Sequence, residues 1–358
     1  MELSKKKLLI RFLVYTLVLF VLVGAFVWFF DPFYQYHKPF PGIKAVLNDR
    51  DNQMPGTIRT FDYDTLLVGS SVAENFNSRY LDEQYACRTL KVIRASGSMA
   101  DLLYYVNMAE ERRELKQIVW CLDLFALDAP VEVTLYGDDI PRYLHTETIW
   151  DDIPYLYNKE IIFEKIPAML VSSLQGVNVG GDAYNWSKGK DFSAAGAMRF
   201  YKRPVVNEEP GEIPISEYEG IVRENIDLLV EQVKAHPEIQ YRFLFPPYSL
   251  LWWDSSWVNG YLEERIHILE QTMDALLPFD NVEIYYYQND EEIVCNLDNY
   301  MDLVHYSPAI NQLMLERMIA GVGRITPDNM EEEIEKMRQL VQRITSTEIY
   351  RYYPETKS

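Results

Sequence analysis

Thr65-Leu66-Leu67-Val68-Gly69-Ser70-Ser71 is an uncharged run that stops at a glycine and two serines. A short apolar run of this kind suits a buried strand, and Gly-Ser suits the sharp turn after it. Similar runs recur along the chain. Leu90-Lys91-Val92-Ile93-Arg94-Ala95 closes on Ser96-Gly97-Ser98, and Gln117-Ile118-Val119-Trp120-Cys121-Leu122 closes on Asp123. Tyr241 to Phe245 stops at Pro246-Pro247, and Val282 to Tyr287 is a fifth candidate strand. Helical spacing fills the intervals. It runs from Met99 to Leu115, through Ile226, Leu229, Val230 and Val233, and from Tyr261 to Leu276. Ser216-x-x-Glu219 reads as a capping box for the second of these. Thr326-Pro327 opens a last, charged helix with Met330, Ile334, Met337, Val341 and Ile344 on one face.

Strands alternating with helices predict an α/β fold in three layers, a parallel sheet with helices on both faces. Ligands in such folds bind beyond the C-terminal strand ends. Ser71, Gly97, Asp123, Pro246 and His305 all fall at or beyond those ends. Residues 63–325 are read as this domain, interrupted at about 128–215 by an insertion that covers the site. Residues 32–62, with Pro32, Pro39, Pro41 and Pro55, read as a stalk, and 326–358 as a C-terminal amphipathic helix and tail.

Residues 1–31 read as a short tail and a membrane anchor. Lys5-Lys6-Lys7 and Arg11 precede an uncharged apolar run from Phe12 to Phe30. Counted from Leu8, it matches the roughly 20 residues that cross a bilayer. Basic residues on one flank and Asp31 on the other place the tail in the cytoplasm and the remainder outside. A cleaved signal peptide is the alternative. No small-residue cleavage site follows, only Trp28-Phe29-Phe30-Asp31, whose aromatics suit a membrane–water interface.

The net charge is −20, which argues against nucleic acid as a partner, since that binding needs a basic patch. The same charge favours a neutral polysaccharide over a bare polyanion. Cys87, Cys121 and Cys295 follow neither zinc nor disulfide-framework spacing. No phosphate loop, dinucleotide fingerprint or metal cluster is present, so no cofactor and no metal are expected. His145-x-Glu147 is too sparse to be a metal site.

One stretch carries chemistry. Asp302 and His305 stand at i and i+3 in Tyr300-Met301-Asp302-Leu303-Val304-His305-Tyr306-Ser307-Pro308. Ser307 and Pro308 fit the cap and first position of a helix. A carboxylate beside an imidazole fixes its tautomer and stabilises the imidazolium. With the serine pair after the first strand, Ser71 or Ser70 becomes a candidate nucleophile, His305 its base and Asp302 the group that orients the base. Trp252, Trp253 and Trp257 read either as a stacking platform for a sugar or as a core corner.

The Gly-Ser-Ser turn, Gly97 after the second strand and Asp302-x-x-His305 before the last domain helix resemble the SGNH/GDSL hydrolase superfamily. With the anchor, they resemble its membrane-bound DltD-like, envelope O-acylation branch. The resemblance implies a flavodoxin-like sheet, Ser71 as nucleophile with Ser70 the competitor, and an oxyanion hole from the N–H groups of Ser71 and Gly97. It also implies a third-block asparagine. Asp123 stands there instead, and an ionised carboxylate donates no hydrogen bond; Asn75 is the substitute to consider. The implied function is a serine esterase or O-acyltransferase acting on a cell-envelope glycan or teichoic-acid-like polymer, beside a multi-pass membrane O-acyltransferase. The alternatives are a catalytically inactive domain that binds glycan or scaffolds that partner, and a structural envelope protein.

Overall fold

In the computed structural model, residues 2–131 and 141–357 are described. They fall into two compact units. One holds the described residues up to Phe61 with those from 141 to Gly180, and the other holds residues 62–131 and 181–357. The stretch 132–140 of the expected insertion lies outside the described residues.

The first unit begins with α1 (Glu2–Phe30), whose stretch Lys5–Phe30 is long and apolar enough to cross a membrane. Asp31 ends it: its carboxylate accepts the backbone N–H groups of Gln35, Tyr36 and His37 and the hydroxyl of Tyr155. Within the expected stalk, α2 (Arg50–Thr60) is a helix despite Pro55, with Met54, Pro55, Thr57 and Ile58 buried.

The second unit is built on β1 (Thr65–Gly69), β2 (Thr89–Ile93), β3 (Gln117–Cys121), β4 (Gln240–Phe245), β5 (Val282–Tyr286) and β6 (Arg324–Ile325). Their order across the sheet is β2-β1-β3-β4-β5-β6. The first five run parallel and β6 is antiparallel to β5. β1 and β3 are buried at every position, as apolar runs between two helix layers must be. The chain order reverses between β1 and β3, and the C-terminal ends of the strands at such a switch point are where sheets of this kind place their ligands. Gly69 closes β1 because nothing larger fits. A Cβ there would stand 2.7 Å from Ala73 Cβ and 3.0 Å from the Cys121 carbonyl oxygen.

Between the strands lie α3 (Ser78–Tyr85), α4 (Met99–Glu110) and α5 (Leu124–Asp128). In the first unit α6 (Ile153–Leu156) and α7 (Ile166–Gln175) follow. The second unit resumes with α8 (Ala194–Ala197), α9 (Glu219–Ala235), α10 (Leu250–Val258), α11 (Leu262–Leu276), α12 (Glu291–Val294), α13 (Pro308–Ile319) and α14 (Met330–Ser346). Two start signals are corrected by this structure. Ser216 sits in a 3-10 turn, so α9 starts from Tyr218 with no side-chain cap. α14 starts at Met330, because Thr326 is drawn into a turn in which its N–H and hydroxyl donate to Asn329 Oδ1. The expected apolar face survives: Ile334, Met337, Val341 and Ile344 are buried.

Candidate active site

The turn after β1 presents its two serines in opposite senses. Ser70 is buried, and its hydroxyl donates to Asp123 Oδ2. Ser71 is half-buried, and its Oγ lies 2.8 Å from His305 Nε2. His305 Nδ1 is 2.7 Å from Asp302 Oδ2. The other carboxylate oxygen, Oδ1, accepts the backbone N–H groups of Val304 at 2.9 Å and His305 at 2.8 Å. One carboxylate therefore clamps its own loop and orients the ring. Ser71 and His305 meet across 234 residues of chain.

Burial pushes the Asp302 carboxyl up. The bond to His305, the imidazole charge and the two backbone donors outweigh it and hold the group below the usual carboxylate range. With Nδ1–H directed at Asp302, Nε2 is the free lone pair that faces the Ser71 hydroxyl, the tautomer a general base needs.

The loop that carries the pair is fixed at several points. Tyr300 and Tyr306 form a bridge, Met301 N–H donates to the His305 carbonyl, and both the N–H and the hydroxyl of Ser249 donate to the Leu303 carbonyl. Pro308 opens α13 as expected, whereas the Ser307 side chain makes no cap bond. Asn311 of α13 donates to the Val72 carbonyl, tying this helix to the serine turn.

Trp186, which nothing in the local sequence marks, completes one wall. Its indole N–H donates to the Ser71 carbonyl at 3.0 Å, and its backbone N–H donates to Asn75 Oδ1 at 3.2 Å. Its ring stands edge-on to His305, with centroids 5.4 Å apart. Part of the expected insertion thus lies at the site. The Asn75 side chain is only 4% exposed, and its Nδ2 has no partner among the described residues. A buried amide with spare donors four residues after Ser71 is an unspent resource, because such groups are normally satisfied.

The remaining candidates lie elsewhere or are already engaged. The Gly97 N–H donates to the Arg94 carbonyl at 3.0 Å. Asp123 caps α5 through the Phe125 N–H and accepts the hydroxyls of Ser70 and Tyr248, so it is an acceptor hub. Trp252 and Trp253 are 7% and 0% exposed, and a buried indole offers no face to a sugar. Trp257 is half-buried in a concavity with Leu262, Ile266 and Val341, without any of Ser71, Asp302 or His305.

Lys91 of β2 is buried. Its ammonium donates to the Glu74 carbonyl at 2.8 Å and the Ala183 carbonyl at 2.7 Å, joining the serine turn to the segment that leads to Trp186. Burial lowers its pKa to about 7, against the opposing pull of Asp182 and Glu74.

No protein-family model matches the chain, and no curated protein does. Among solved structures it is similar to one described as "a putative platelet activating factor from Streptococcus pneumonia". The identity is 11%, the match covers 76% of this chain and 91% of that one, and the TM-score is 0.37. A likeness of that size carries no argument about activity.

Proposed function

We propose that the chain is a membrane-anchored serine esterase or O-acyltransferase of SGNH type that works through an acyl-enzyme on Ser71. The observation that carries this reading is the relay Ser71 Oγ–His305 Nε2–Asp302 Oδ2, with successive distances of 2.8 and 2.7 Å. His305 takes the Ser71 proton as Oγ attacks an acyl carbonyl. Asp302 stabilises the imidazolium that results, and the imidazolium returns the proton to the leaving alcohol. Water or a sugar hydroxyl then resolves the acyl-enzyme, with His305 as base again. The oxyanion is held by the Ser71 N–H and by Asn75 Nδ2, the side-chain donor left spare.

The proposed acceptor is a neutral cell-envelope glycan or a teichoic-acid-like polymer, and the proposed donor partner is a multi-pass membrane O-acyltransferase. A site tethered outside the membrane by α1 suits acyl groups relayed across it, which supports transfer over free hydrolysis. Labelling with a fluorophosphonate probe followed by peptide mapping tests the reading; the adduct is expected on Ser71, and an unlabelled protein refutes it. Asn75→Ala is expected to lower kcat on an aryl ester about 10²-fold with little change in KM. One observation favours the inactive, glycan-binding reading: the Gly97 N–H is already committed to Arg94. Glycan binding without probe labelling would select it.

A further inference from the structure

We propose that the segment from Ile149 to Leu174 is seated in the bilayer that α1 crosses, in the leaflet at the C-terminal end of α1, with its exposed apolar side chains among the acyl chains. The inference rests on α1 as a membrane span and is independent of the chemistry at Ser71.

The depth of one contact carries it. Helix rises about 1.5 Å per residue, and a hydrocarbon core of about 30 Å takes about 20 residues. Whether the core begins at Leu8 or at Phe12, it ends between Val27 and Asp31. Phe20 then lies about 10 Å or more inside it. Tyr157 touches α1 at that level. Its ring stacks on Phe20 with centroids 4.0 Å apart, and its hydroxyl donates to the Phe20 carbonyl at 3.0 Å. Gly24 makes room for it, since a Cβ there would stand 2.6 Å from the Tyr157 hydroxyl oxygen. One turn higher, Val27 is fully buried in a cluster with Tyr155, Ile161 and Ile166. A residue packed on a membrane-embedded surface is itself at that depth.

The segment is built for such a place. Its backbone is mostly helical, in α6, a π-turn at Ile161–Lys165 and α7, so most of its amides are satisfied internally. Its largest outer side chains are apolar: Trp150 is 78% exposed, Phe163 75% and Leu174 87%, with the exposed charges Asp151, Lys159, Glu160 and Glu164 set between them. Phe163, Pro167, Val171 and Leu174 recur at helical spacing and are all exposed, the stripe of an interfacial helix. Water is a poor surrounding for a surface of that kind. The charges nearby fit the boundary region. Lys165 is paired with Asp49 at 2.8 Å and Glu160 at 3.5 Å, and Lys159 is long enough to reach the headgroups.

The test is nitroxide accessibility in the full chain, with Cys295→Ser to remove the half-buried thiol, reconstituted in phosphatidylcholine–phosphatidylglycerol vesicles. Labels are placed through Phe163→Cys, Leu174→Cys, Lys190→Cys and Leu17→Cys. Collision with oxygen relative to a water-soluble nickel chelate should be at least tenfold greater at 163 and 174 than at 190. Nickel access at 163 and 174 equal to that at 190, with 17 protected, overturns the proposal alone. Exclusion of both reagents at 163 and 174 overturns it in favour of a second copy of the chain as the cover. Nickel access at 17 overturns the span and the proposal together, and leaves the Ser71 chemistry to its own probe.

Discussion

Two serine–carboxylate constellations stand side by side at the end of the sheet. Ser70 meets Asp123 directly, with Tyr248 on the other carboxylate oxygen; these residues are 4%, 2% and 0% exposed. Ser71 meets Asp302 only through His305, and the His305 and Asp302 side chains keep 24% and 17% of their exposure. A carboxylate alone is poorly matched to general-base work near neutral pH, and imidazole is well matched. The dry pair therefore braces the turn, and the wet one, with a ring interposed, can move a proton and admit a substrate. Neighbouring serines acquire different chemistry from what the fold places opposite them.

The sharpest way to break this contrast is to remove each serine. Ser71→Ala and His305→Ala should each lower kcat on an aryl ester by about 10³-fold or more, and the double variant should be no worse than either, because the residues act as a unit. Ser70→Ala should stay within about tenfold of the parent. A dead Ser70→Ala beside an active Ser71→Ala would reverse the assignment.

Asp302→Asn should cost nearly as much, about 10³-fold in kcat, by losing the acceptor that fixes the tautomer. It also has a pH signature in stability. The native carboxyl is held below its ordinary value of 3.8, so its stabilisation is complete above the unfolded value and is lost as pH falls through the native one. Urea midpoints of parent and variant should differ at neutral pH and converge as pH falls through the native carboxyl's lowered value.

Asp123→Asn should show the opposite profile. Two hydroxyl donors would face an amide that offers one acceptor, at a cost of about 1–3 kcal/mol of stability by urea unfolding. Activity of the folded fraction should stay within about tenfold. A loss as large as that of Asp302→Asn would show that the brace takes part in the chemistry.

The smallest effect on catalysis is expected from Lys91→Met. It orphans two carbonyls and should destabilise by about 1–3 kcal/mol. The unfolded amine keeps its proton up to 10.5, whereas the native one loses it at about 7. The unfolded state therefore binds more protons between those values, and parent stability should rise with pH across that window. The variant should lack that rise.

What the sequence discloses follows from range. The five parallel strands are legible because a buried strand leaves a continuous apolar run. β6, two residues long, leaves no run to see. Asp302 and His305 are legible because their spacing is local. Trp186 is not: its bonds to Ser71 and Asn75 span 115 and 111 residues, and a tryptophan between polar neighbours gives no hint of them. Ser216-x-x-Glu219 shows the converse failure, a local signal overruled by the 3-10 turn at Ile215–Glu217. Trp252 and Trp253 show why composition is ambiguous, since an aromatic pair reads alike for a sugar platform and for an interior.

The 234 residues between Ser71 and His305 also set a clock. At a synthesis rate of about 5–20 residues per second, roughly 10–50 seconds pass between the emergence of the hydroxyl and that of the imidazole. Throughout that interval the growing chain displays a serine with no proton acceptor opposite it. The relay of serine, imidazole and carboxylate is therefore assembled only when the distant loop folds back onto the first strand.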